Sequence, residues 1–160
     1  MVVGDIMDRD LTSLAEETSL LEAISLMALH DTSGFPVVNS ADRIVGFLSE
    51  KDVLRAVIPG YLGHMDESFT MPDVAKIKGM VKRAGHDLAR DYMTKNCIAF
   101  AEDETISNVM IQMFKKNIRR APVIREGMLV GTVDREEILR GFVRDNFEDG
   151  ETEAPAMSAK

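Results

Sequence analysis

Phe35-Pro36-Val37-Val38 returns 86 positions on as Ala121-Pro122-Val123-Ile124. Working outward from this strand, the chain repeats itself at a fixed offset. Gly4-Asp5-Ile6-Met7 pairs with Arg90-Asp91-Tyr92-Met93, Ser19-Leu20 with Thr105-Ile106, and Met27 with Met113. Past the strand the offset falls to 85: Val45-Gly46 pairs with Val130-Gly131, and Asp52-Val53-Leu54-Arg55 with Glu137-Ile138-Leu139-Arg140. One residue has left a turn, where Ser40-Ala41-Asp42-Arg43 is answered by the shorter Glu126-Gly127. An internal repeat of one supersecondary unit implies that the copies pack together to bury their faces. A ligand site is then expected where they meet, and each copy serves as a control for the other.

Each copy reads as strand, helix, strand, strand, helix. Ser19 with Glu22 forms the signature of a capping box. Leu20, Ala23, Ile24, Met27 and Ala28 follow as one apolar stripe at helical spacing, matched by Ile106, Val109, Met110, Met113 and Phe114. Hairpins span Phe35 to Leu48 and Ala121 to Val133, with Gly127 supplying positive φ in the shorter turn. A last helix is expected from about Glu50, carrying Val53, Leu54 and Val57, and from about Arg135, carrying Ile138, Leu139 and Phe142. The copies are placed at 1–58 and 87–145. A linker at 59–86 is punctuated by Gly and Pro and contains a short amphipathic helix with Lys76, Lys78, Lys82 and Arg83 on its outer, solvated face. The polar, acidic tail at 146–160 is expected to be disordered.

A chain of 160 residues supports one well-buried domain or two small halves sharing a core. The formal net charge of −8 argues against a general nucleic-acid binder. The single Cys97 has no internal partner and no metal-ligand spacing, which fits a reducing cytoplasm. No signal peptide is apparent, and no apolar run approaches the ~20 residues that span a bilayer. His30, His64 and His86 are scattered without metal spacing, and Ser49 has no evident His partner for nucleophilic catalysis. No catalytic residue, metal or obligatory cofactor is assigned.

The Asp5-Ile6-Met7 start, the Phe35-Pro36-Val37-Val38 strand and Gly46-Phe47-Leu48-Ser49-Glu50-Lys51-Asp52 resemble a cystathionine-β-synthase (CBS) domain. Two in tandem, over about 2–58 and 87–145, resemble a CBS pair, or Bateman module. The resemblance implies an α/β fold: two β-α-β-β-α repeats related by a pseudo-two-fold axis, with two clefts between them. It also implies a non-enzymatic module that binds AMP, ADP, ATP or S-adenosylmethionine and regulates an unidentified protein partner. Stand-alone pairs of this kind commonly dimerise. Apolar residues on the helix pairs, such as Leu26, Leu29, Ile58, Met110 and Phe142, point the same way.

The family's nucleotide motif runs Gly, apolar, any, Ser or Thr, two of any, Asp. Gly46, Ser49 and Asp52 match it. A carboxylate accepts from both hydroxyls of a ribose cis-diol, a hydroxyl at a helix start holds ligand oxygens, and Gly lets backbone approach a base. The competing reading is that Ser49-x-x-Asp52 is only a helix cap. Copy two has Asp134 and Glu137 in these places, which cap equally well but break the motif. The resemblance further implies that the Asp52 cleft contains Thr94, Ile98 and the run Arg119-Arg120-Ala121-Pro122 from the other copy. Two arginines there suit phosphate oxygens, although ordinary surface charge is the alternative. The opposite cleft, with Asp134 and Glu137, would receive Thr32, Ser33, Gly34 and Pro36. A lapsed pair acting as a constitutive scaffold is the other functional reading.

Overall fold

The structure is a computed structural model, and it describes residues 1–58 and 74–147. The first part of the expected linker, 59–73, and the tail from 148 onward lie outside the described residues. The copies form the expected elements. Copy one contributes β1 (Leu14–Ala15), α1 (Leu20–Leu29), β2 (Gly34–Val38), β3 (Ile44–Ser49) and α2 (Glu50–Val57). The linker helix is α3 (Val74–Ala84). Copy two contributes α4 (Ala89–Tyr92), β4 (Thr94–Lys95), β5 (Phe100–Ala101), α5 (Ile106–Lys115), β6 (Arg120–Arg125), β7 (Met128–Asp134) and α6 (Arg135–Phe147).

Local chemistry fixes these boundaries. The Ser19 hydroxyl accepts the Glu22 N–H at 3.2 Å and opens α1. Asp31 and Asn117, equivalent residues just past α1 and α5, take φ of 48° and 52°, the left-handed turn that ends a helix. In the shorter hairpin both Glu126 and Gly127 have positive φ, 53° and 81°, as a two-residue turn of the primed type demands.

The two sheets are not self-contained. One has the order β1-β2-β3-β4, in which β4 comes from the opening of copy two: Gly46 pairs with Lys95 and Phe47 with Thr94. The other is β5-β6-β7, and the opening of copy one closes it. There the Asp8 N–H donates to the Thr132 carbonyl and the Thr132 N–H to the Asp8 carbonyl, each at 2.9 Å. The cores are exchanged in the same way. Leu14, Leu20, Phe35, Val37, Leu48 and Val53 enclose Ala89 and Met93. Phe100, Val109, Met113, Val123, Val133 and Ile138 enclose Val3 and Met7. Each opening segment buries its apolar residues in the other copy. Neither copy therefore completes its core alone, which is the physical reason for the tandem arrangement.

Glycine makes the exchange possible at Gly46 and Gly131. A Cβ on Gly46 would meet Met93 Sδ at 2.7 Å and the Thr94 carbonyl at 2.9 Å, and one on Gly131 would meet the Asp8 carbonyl at 2.4 Å. The incoming segment lies where a side chain would be.

Candidate functional site

Where β3 ends and α2 begins, Ser49 and Asp52 form a reciprocal cap. Asp52 Oδ2 accepts from the Ser49 N–H at 2.9 Å and from its hydroxyl at 2.8 Å, while Ser49 Oγ accepts from the Asp52 N–H at 3.3 Å. The second carboxylate oxygen, Oδ1, pairs with the Arg55 guanidinium at 3.4 Å. Asp52 is 3% exposed. The capping reading is thus correct in copy one, and it is correct in copy two. There the Asp134 N–H donates to Glu137 Oε2 at 2.8 Å and the Glu137 N–H to Asp134 Oδ1 at 2.9 Å. Capping alone does not separate the copies; their surroundings do.

Ser49 and Asp52 open onto a cavity of about 500 Å³ between the copies. Of the residues expected in that cleft, Thr94, Ile98, Arg119, Arg120 and Pro122 line it together with Ser49 and Asp52. Gly46 stands apart from the lining, because the room it leaves is taken by Met93 and Thr94. Ser33, expected in the opposite cleft, lines this one. It directly precedes β2, which pairs beside β3, and its carbonyl accepts the Glu50 N–H at 2.8 Å. A volume of this order is that of a small-molecule site.

Five further basic or amide residues were not singled out from sequence: Lys51, Arg55, Asn96, Lys116 and Asn117. Lys51 and Arg55 lie inside and one turn beyond the motif, so their position on α2 was the available signal. Lys116 and Asn117 follow α5, with Ile118 between them and the arginine pair. Cys97 also lines the cavity, and burial pushes its thiol pKa up, which keeps it protonated and poorly nucleophilic.

The two arginines behave differently. Arg119 is exposed and pairs with Glu50 at 3.4 Å. Arg120 is only 14% exposed in its side chain and turns the other way. It donates to Asp8 Oδ2 at 3.0 Å and to Thr132 Oγ1 at 2.6 Å, and it stands 3.6 Å from Asp134 Oδ2. Its guanidinium therefore answers Asp8 of copy one and Asp134 of copy two, the carboxylates of the opposite end. Beside them, burial pushes the Glu137 carboxyl up to about 7, with Asp134 and Asp8 adding like charge and Arg120 opposing it.

His30 pairs with Asp10 at 3.2 Å and His86 is exposed, while His64 lies outside the described residues. Among the described residues no cluster of His, Cys, Asp or Glu is arranged to hold a metal ion, and no helix is long and apolar enough to cross a membrane.

Residues 3–59 and 89–144 each match the CBS domain family. The chain belongs to that family. As a CBS pair, it is similar to hypoxic response protein 1 of Mycobacterium tuberculosis, with 32% identity over 139 residues, 85% of this chain and 81% of that one. It spans 92%, 41% and 61% of the lengths of three further curated relatives. The CBS-pair protein CBSX2 from Arabidopsis thaliana shares the fold at TM-score 0.74 and 20% identity, over 94% of this chain and 98% of that one. A structure of CBSX2 in complex with AMP superposes at TM-score 0.68 and 21% identity, over 90% and 97% of the two chains.

Proposed function

We propose that this CBS pair is a regulatory module of the cytoplasm that binds AMP, ADP or ATP in the Asp52 cleft, catalyses nothing itself, and modulates a protein partner. The observation that carries the reading is one cavity uniting the Ser49–Asp52 motif of copy one with Thr94, Ile98 and Arg119 of copy two. A carboxylate suited to a diol and a cationic rim of Lys51, Arg55, Lys116 and Arg119 lie in one space. The AMP complex of CBSX2, a protein of the same fold, supports this choice of ligand. S-adenosylmethionine is expected to bind more weakly, since its sulfonium meets like charge at that rim.

Calorimetry of AMP, ADP, ATP and S-adenosylmethionine with the purified chain tests the reading directly. Asp52→Ala removes up to two hydrogen bonds to a charged acceptor, each worth about 1.5–3 kcal/mol, so affinity for AMP is expected to fall at least about tenfold. Glu137→Ala should bind AMP as the parent does. Equal losses from both variants, or no binding of any of these ligands to the parent, would contradict the assignment. In the latter case the constitutive scaffold is the remaining reading.

The module is proposed to act as a homodimer. Leu29 and Phe114 are 78% and 81% exposed, and Leu21, Ile58, Ile111, Leu139 and Val143 on the same helix pairs are also exposed. Leu26 and Phe142 are partly buried against the cores instead. Exposed apolar surface on this scale is characteristic of interfaces. A monomer in sedimentation at micromolar concentration would remove this part of the proposal.

A further inference from the structure

We propose that Arg55 sets which ligands the Asp52 cleft accepts: it pairs with the Asp52 carboxylate and exchanges it for an anionic group when a diol binds. The inference rests on the proposed adenosine-phosphate site and assigns its selectivity. A carboxylate has about four acceptor positions. Two at Oδ2 are filled by the Ser49 N–H and hydroxyl. Oδ1 carries Arg55 at 3.4 Å and is the oxygen with capacity for a ribose diol. A diol arriving at Asp52 therefore displaces the guanidinium. Arg55 is 62% exposed, so it can swing aside at little cost.

Copy two shows why Arg55 sits there. Its equivalent, Arg140, leaves Glu137 alone and pairs with Glu136, four residues before it. The residue four before Arg55 is Lys51, a like charge. Denied that partner, Arg55 turns to Asp52, three residues before it. One position, Lys51 against Glu136, thus decides whether the arginine of this helix covers the carboxylate.

The released guanidinium stays beside the cleft. It remains at a rim already lined by Lys51, Lys116 and Arg119. A phosphate there receives Arg55 through forked, charge-assisted bonds and relieves the crowding of cations. A neutral nucleoside displaces Arg55 and offers nothing in return. The cleft therefore requires diol and anion together, and it discriminates against adenosine by more than a missing phosphate contact.

The experiment is calorimetric titration of the full chain with ATP, AMP and adenosine, for the parent, Arg55→Ala and Lys51→Glu. Both side chains are exposed, so both variants should fold. Arg55→Ala is expected to weaken ATP and to strengthen adenosine, each by about threefold to tenfold, because the same side chain binds one and competes with the other. Lys51→Glu gives Arg55 the partner that Arg140 has and should also strengthen adenosine. If Arg55→Ala weakens ATP and leaves adenosine unchanged, or changes neither, the exchange is overturned while the nucleotide site stands. Unchanged adenosine affinity in Lys51→Glu overturns the role given to Lys51. A parent that binds neither ATP nor AMP overturns the site and the exchange together.

Discussion

The two ends of the pseudo-two-fold use the same backbone to opposite effect. At the Asp52 end, Ser49, Asp52 and Thr94 meet a cavity with four cationic side chains at its rim. At the other, the equivalent places hold Asp134, Glu137 and Asp8, and the chain answers these three acids with its own Arg120. The hydrogen-bond skeleton of the cap is common to both. The difference lies in the cation that answers the helix start: Asp52 meets the exposed Arg55, whereas Asp134 meets the buried Arg120. A repeat can thus keep its fold at both ends while the charges around its caps diverge.

The most severe way to break this contrast is Arg120→Ala. It leaves Asp8, Asp134 and Glu137 facing each other without their cation, and removing one partner of a buried ion pair costs about 3–5 kcal/mol. Asp8 and Asp134 are partly exposed, which lowers the expectation to about 2–3 kcal/mol. Urea unfolding measures it. Arg119→Ala, at an exposed pair with Glu50, should stay within about 1 kcal/mol of the parent. Similar losses from the two variants would mean that Arg120 is not the internal counter-ion of the second cleft.

Next in size is the pair Gly131→Ala and Gly46→Ala. Both obstruct an exchanged segment, and overpacking costs about 1–3 kcal/mol. The first obstacle at Gly131 is the Asp8 carbonyl at 2.4 Å, which is backbone in a two-bond bridge. At Gly46 it is Met93 Sδ at 2.7 Å, the adaptable part of a flexible side chain. Gly131→Ala should therefore lower the thermal midpoint more. The reverse order would show that the Thr94 carbonyl behind Met93 dominates at Gly46.

The exchange of opening segments was the part of the fold that sequence order concealed. Periodicity located α1, α5 and the hairpins because Leu20, Ala23 and Met27 turn inward on their own helix. Val3 and Met7 carry no such local record: they open copy one in sequence and fill the core of copy two, a choice made by tertiary packing. The candidate site was legible to a similar degree. The motif named Ser49 and Asp52, and seven of the eight expected residues line one cavity. The direction of a long side chain was not legible. Arg119 and Arg120 are neighbours in sequence and point to different clefts, because Arg120 pairs across the sheet with Asp134. Gly46 reads as room for a ligand and is room for Met93 and Thr94 instead.

The smallest expected effect sharpens the contrast by pH. Glu137 is half-buried, and burial together with Asp134 and Asp8 raises its carboxyl from 4.5 to about 7, against the lowering influence of Arg120. Its folded-state pKa lies above the unfolded value, so between them the folded chain binds more protons than the unfolded one. Stability contributed by the neutral form is present below pH 4.5 and is lost as pH rises through about 7. Glu137→Gln keeps a carbonyl to accept the Asp134 N–H and removes the titration. Solvent screening of a half-buried group reduces the nominal linkage to about 1 kcal/mol. The stability of Glu137→Gln relative to the parent should therefore rise by that amount between pH 5 and pH 8, read as a difference in urea midpoints. The control is Asp134, whose side chain remains capped to the residue 137 N–H in both proteins. A relative stability that stays constant across that range would mean that Arg120 neutralises the cluster fully, and that the second cleft carries no titratable excess of negative charge.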